Sequence, residues 1–80
     1  MSRRPLRVLL ADDHTLVRGG IRRIVEGQPG VAVVAEAADG ATALARLAET
    51  APDIAVLDLK MPGSDTLDLV RAVKAAQPAV

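Results

Sequence analysis

The chain of 80 residues contains no cysteine and no Phe, Tyr or Trp. Without Cys it has no disulfide, no thiolate metal site and no thiol nucleophile. Without aromatic rings, the core must come from Leu, Val, Ile and fifteen Ala. Each large aliphatic side chain contributes roughly 1.5–3 kcal/mol on full burial and Ala much less. Charge of one sign is also lacking, since ten Lys and Arg balance ten Asp and Glu. That balance excludes a strongly basic nucleic-acid footprint and a polyanionic tail, and no direct nucleic-acid contact is expected. Arg3 and Arg4 are too few for a phosphate-gripping arm and read as a solvated terminus. No apolar run approaches the roughly 20 residues needed to span a bilayer. Met1-Ser2-Arg3-Arg4-Pro5 leads into a short apolar run broken by Asp12, which is not a signal peptide. A cytoplasmic setting without a membrane partner is expected.

The hydrophobic pattern alternates between two periods. Arg7-Val8-Leu9-Leu10-Ala11 is a short, nearly continuous apolar run that suits a strand covered on both faces. A helix follows over about Thr15 to Glu26. Val17, Gly20, Ile21 and Ile24 recur at three- and four-residue steps, with Arg18, Arg22 and Arg23 opposite. Thr15 is the expected N-cap, and Gly20 is expected to sit against a sheet. Val31-Ala32-Val33-Val34-Ala35 is a second strand. Asp39 is placed to cap a second helix over about Ala41 to Thr50, with Leu44, Leu47 and Ala48 inward and Pro52 at its end. Ile54-Ala55-Val56-Leu57 is a third strand. After the loop Lys60-Met61-Pro62-Gly63, Ser64 is the expected cap of a third helix through about Ala76, with Leu67, Val70 and Val73 inward. The order β-α-β-α-β-α implies a parallel sheet, whose ligands bind beyond the carboxyl ends of its strands.

Three carboxylates fall at those ends: Asp12 and Asp13 after the first strand, Asp58 after the third. If the two strands are neighbours, the carboxylates converge, and either one protonates or a cation neutralises them. Oxygen donors without Cys or clustered His point to a hard cation such as Mg²⁺, which suits a phosphoryl-transfer site. The plainer alternative is that each Asp caps a helix and solvates a loop. A flavin or bare phosphate at this edge is disfavoured, because it would need free backbone N–H groups rather than an Asp pair. His14, the one histidine, reads as an exposed loop residue, and Met61 as a packing residue.

The blocks Val8-Leu9-Leu10-Ala11-Asp12-Asp13-His14 with Leu16-Val17-Arg18, Val34-Ala35-Glu36-Ala37-Ala38-Asp39-Gly40, and Pro52-Asp53-Ile54-Ala55-Val56-Leu57-Asp58-Leu59-Lys60-Met61-Pro62-Gly63 occur in this order. Together they resemble the bacterial response-regulator receiver domain, in the subfamily that precedes a LuxR-type helix-turn-helix output domain. The resemblance implies that Asp58 is the phosphoacceptor for a histidine kinase. It implies that Asp12, Asp13, Asp58 and the backbone carbonyl of Lys60 hold Mg²⁺, and that Pro62 and Gly63 shape the adjoining loop. It implies a truncated flavodoxin-like fold, a parallel sheet ordered 2-1-3 that lacks the last two βα units. Residues 1–80 would then be an incomplete receiver without its DNA-binding output domain.

The family's Ser or Thr after the fourth strand and Lys after the fifth have no counterpart in these residues. The chain is therefore expected to catalyse at most its own phosphorylation and dephosphorylation, and the coupling of phosphorylation to output is expected to be lost. An exposed third-strand edge is expected to favour a homo-oligomer. A non-phosphorylated dimerisation module is the alternative function. A phosphohydrolase with an Asp nucleophile would usually carry a second Asp two residues further on, where this chain has Lys60.

Overall fold

The computed structural model describes residues 4–58, 61 and 66–80. Its elements run β1 (Leu6–Ala11), α1 (Thr15–Glu26), β2 (Val31–Ala37), α2 (Gly40–Thr50), β3 (Ile54–Leu57) and α3 (Thr66–Ala76). The three strands form one sheet in the order β2-β1-β3. Both pairings are parallel, as the alternation of strands and helices and the family resemblance imply. Lys60, Pro62, Gly63 and Ser64 lie outside the described residues.

β1 is central, hydrogen-bonded on both edges, and Val8, Leu9, Leu10 and Ala11 are all buried. Successive side chains of a strand point to opposite faces. Leu9 and Ala11 join Ala37, Ala43, Leu47, Met61, Leu69 and Val73 in one cluster on the face covered by α2 and α3. Met61 is thus a packing residue. Val8 and Leu10 point to the other face, where α1 packs on β1 and β2.

The pairing of β1 with β2 slips by one residue between Val8 and Leu9. Val8 pairs with Val33 but Leu9 with Ala35, so Val34 is the extra residue of a bulge. A one-residue slip exchanges the faces of everything beyond it. It brings Ala35 and Ala37 to the α2 face, and it pairs Glu36 with Leu10 on the α1 face instead of leaving it over the apolar cluster.

Several helix details differ from the sequence expectation. Thr15 is the first residue of α1 and His14 is its N-cap, without a side-chain cap bond. The half-buried face of α1 is Arg18, Ile21 and Val25, whereas Val17 and Ile24 are exposed. Arg18 and Arg22 bond to Glu36 on β2, which brings the Arg18 side of the helix to the sheet, while Ile24 borders an open apolar hollow with Val8, Ile54 and Val56 and so keeps most of its exposure. Gly20 meets no sheet, since a Cβ there would find nothing within 4 Å. In α2, Asp39 is the cap as expected, accepting from the Thr42 N–H at 2.7 Å. Ala43 and Leu47 are buried, and Ala48 is exposed. α3 buries Leu69 and Val73, while Leu67 and Val70 stay exposed because the helix leans on α2 through its other side.

Candidate metal centre

Strand pairing carries on one residue past β1 and β3. The Asp12 N–H donates to the Ala37 carbonyl at 2.9 Å, and the Asp58 N–H donates to the Ala11 carbonyl at 2.8 Å. The ends of two neighbouring strands therefore set Asp12 and Asp58 side by side, and Asp13 follows in the turn into α1. Asp12 Oδ1 accepts the His14 N–H at 2.8 Å, a local bond across two residues that bends the chain into the helix.

One donor atom each from Asp12, Asp13, His14 and Asp58 can be chosen so that all four lie within 4.8 Å of one another. The three carboxylates are largely shielded, with side-chain exposures of 15%, 28% and 21% for Asp12, Asp13 and Asp58. His14 lies over them at 66% exposure, with its Nδ1 3.2 Å from Asp12 Oδ1, 2.9 Å from Asp13 Oδ1 and 3.8 Å from Asp58 Oδ2. Asp12, Asp13 and Asp58 converge as the sequence led us to expect. His14 is the exposed residue before α1 that the sequence suggested, and its imidazole also reaches the carboxylates.

The electrostatics follow from this geometry. The His14 backbone N–H holds the Asp12 carboxyl below its ordinary pKa, against the burial that opposes ionisation. The hydrogen bond that His14 makes to the Asp12 carboxylate, followed by the charge of Asp13, raises the His14 pKa above its ordinary value. Asp13 Oδ1 is shut off from solvent and takes no well-formed hydrogen bond; His14 Nδ1 approaches it only as an ion-pair partner. A shielded anionic oxygen without a hydrogen-bond donor fits a cation. The donor set, three carboxylates and no sulfur, is that of a hard divalent ion.

Below the strands, at their opposite ends, Asp53 accepts from the Arg7 N–H at 2.9 Å and pairs with Arg4 at 2.6 Å. This carboxylate ties β1 to β3 and takes no part in the cluster. Among the described residues no helix is long and apolar enough to cross a membrane.

Comparison with known proteins finds a matching family and a matching fold. Residues 8–80 match the family model of the response regulator receiver domain. The nitrate/nitrite response regulator protein NarP of Escherichia coli is 43% identical over 70 residues, covering 88% of this chain and 33% of that protein. The chain thus spans a third of that relative's length. A LuxR-family two-component response regulator from Aurantimonas superposes with a TM-score of 0.89 at 45% identity, over 95% of this chain and 54% of the other. The signal receiver domain of the putative response regulator NarL from Mycobacterium tuberculosis gives 0.87 at 40% identity, over 94% of this chain and 60% of the other.

Proposed function

The chain belongs to the response regulator receiver domain family, and on that premise we propose that Asp58 accepts a phosphoryl group from a histidine kinase. The observation that carries this reading is the convergence of Asp12, Asp13 and Asp58 from two adjacent strand ends. Asp12, Asp13 and Asp58 would hold Mg²⁺. The Lys60 carbonyl, which the resemblance adds to that set, lies outside the described residues. When bound, Mg²⁺ neutralises the carboxylates and orients the phosphoryl oxygens.

The chain's own contribution is placement and charge. A carboxylate oxygen of Asp58 attacks the phosphorus of the kinase's phosphohistidine. The O–P bond forms as the P–N bond breaks, and the electron pair leaves with the imidazole nitrogen. Asp12 stays ionised through the His14 N–H and keeps the site anionic enough to retain a divalent cation. The output of such a domain in LuxR-type relatives is transcriptional control.

The direct test uses acetyl phosphate as donor and intact mass as readout. The chain is expected to gain one phosphoryl group with Mg²⁺ and none with EDTA, and Asp58→Asn is expected to gain none. A wild-type chain that stays unlabelled with Mg²⁺ defeats the reading.

A second reading concerns association of the 80-residue polypeptide. Among the described residues β3 pairs only with β1, and Ile54 and Val56 on its α1 face are 41% and 42% exposed. An open apolar strand edge accepts another strand, and a second copy can supply one. Light scattering at micromolar concentration should give more than one chain mass. A single-chain mass removes this reading and leaves phosphotransfer untouched.

A further inference from the structure

We propose that Arg18 is a positioning residue: its guanidinium ties the main-chain carbonyl of Asp12 to the Glu36 carboxylate, and so holds the Asp12–Asp13 turn in register with Asp58. The inference rests on the reading that these carboxylates hold Mg²⁺.

Each polar group of Asp12 is held by a partner. Its N–H is held by the Ala37 carbonyl, and its carboxylate by the His14 N–H. The remaining group, its carbonyl, has passed the end of β1 and receives Arg18 Nη1 at 2.6 Å. A carbonyl at such a turn needs a donor, and here one side chain supplies it. The same guanidinium donates through Nε to Glu36 Oε1 at 3.2 Å. Arg22 Nη1 bonds the other Glu36 oxygen, and its Nε reaches Glu26 at 3.0 Å. Glu36 is thus fixed from two sides and in turn fixes Arg18.

This is not a loose surface pair. The Arg18 side chain is 17% exposed. Glu36 reaches it because the Val34 bulge brings that carboxylate to the α1 face. None of Arg18's hydrogen bonds among the described residues goes to a carboxylate of the cluster, so it acts through the backbone of Asp12. A planar fork can bridge two acceptors in fixed geometry, which a lysine ammonium on a flexible stem cannot. Groups that orient metal ligands in this way typically alter metal affinity about 10–100-fold when removed.

The sign of the effect separates positioning from simple charge. Arg18 brings a positive charge close to three carboxylates. If that charge alone mattered, removing it would tighten Mg²⁺ binding. Positioning predicts the opposite. The experiment is a Mg²⁺ titration of the full chain at constant ionic strength, well below every variant's melting temperature. It follows the backbone amide NMR shifts of Asp12, Asp13 and Asp58 in wild type, Arg18→Met, Arg18→Lys, Glu36→Gln and the double variant Arg18→Met with Glu36→Gln.

The wild type is expected to saturate. Arg18→Met should bind at least about tenfold more weakly, and Arg18→Lys should also bind more weakly although it keeps the charge. Adding Glu36→Gln to Arg18→Met should cause no further loss, because the two act as one unit. If Arg18→Met does not fold, Arg18→Lys and Glu36→Gln carry the test. Tighter or unchanged binding in the Arg18 variants overturns the proposal, as does a lower melting temperature with an unaltered dissociation constant. A wild type that shows no saturable shifts overturns the metal reading itself, and this role with it.

Discussion

The two faces of the sheet are built differently. On the α2–α3 face, Leu9 and Leu47 are 0% and 1% exposed and interlock with Ala43, Leu69 and Val73. On the α1 face, Ile24 is 71% exposed, Ile54 and Val56 are 41% and 42% exposed, and beside the half-buried Ile21 and Val25 the helix is tied to β2 by Arg18 and Arg22 on Glu36. An apolar hollow between Ile24, Val25, Leu6, Val8, Ile54 and Val56 lies open there. The α2–α3 face thus holds the closed apolar cluster, whereas the α1 face buries Val8 and Leu10 but leaves its β3 side open and carries the polar attachment of the site loop. The carboxylate cluster stands at the edge between them, drawing its strand ends from the first and its helix turn from the second.

The sharpest way to break this contrast is truncation on each face. Leu47→Ala removes a fully packed side chain and should cost about 2–5 kcal/mol in denaturant unfolding. Ile24→Ala removes one that is largely in water and should change stability by less than about 0.5 kcal/mol. Equal losses would show that the two faces are equally packed. Next in size is Gly20→Ala. With open space at the Cβ position and a helical backbone, it should stabilise α1 by up to about 1 kcal/mol. A loss would mean that the glycine is needed for close approach after all.

The smallest effect is electrostatic. His14 has a raised pKa in the folded chain, so its contribution to stability is complete below its ordinary value near 6.5 and disappears as pH rises through the folded-state pKa. The Asp12 carboxyl is lowered, so its contribution is present above the ordinary value near 3.8 and is lost as pH falls through the folded-state pKa. In EDTA, an NMR titration of the His14 ring should give a midpoint above the ordinary value. The melting temperature should decline through that midpoint in wild type but not in His14→Gln. A His14 midpoint at or below the ordinary value contradicts the cluster geometry.

Much of the fold was legible because β-branched runs, Asp39 and Pro52 are local signals with local consequences. The limits of α1 and β3 came out as expected, and the sheet order followed from the family resemblance. The carboxylates were legible because each sits one or two residues past an apolar run, and parallel strands deliver such residues to one edge. The inward face of α1 was only partly legible. Its spacing favoured Val17, Gly20, Ile21 and Ile24, of which Ile21 is half-buried, while Arg18 comes to the sheet through its bond to Glu36. The position of Glu36 depends on a bulge at Val34 that no residue in the strand announces. The place of the His14 ring is likewise a matter of local geometry, since an Asp12 carboxylate bonded to the His14 backbone N–H sets the imidazole over the cluster.

The central claim is that Asp58, set beside Asp12 and Asp13, takes the phosphoryl group. Reducing the phosphorylated chain with borohydride converts an aspartyl phosphate to homoserine, and peptide mapping then locates it. The account predicts homoserine at position 58 alone, dependent on Mg²⁺ during labelling. Homoserine at position 12 or 13, or none in a chain that Mg²⁺ and acetyl phosphate have been given time to label, would contradict it.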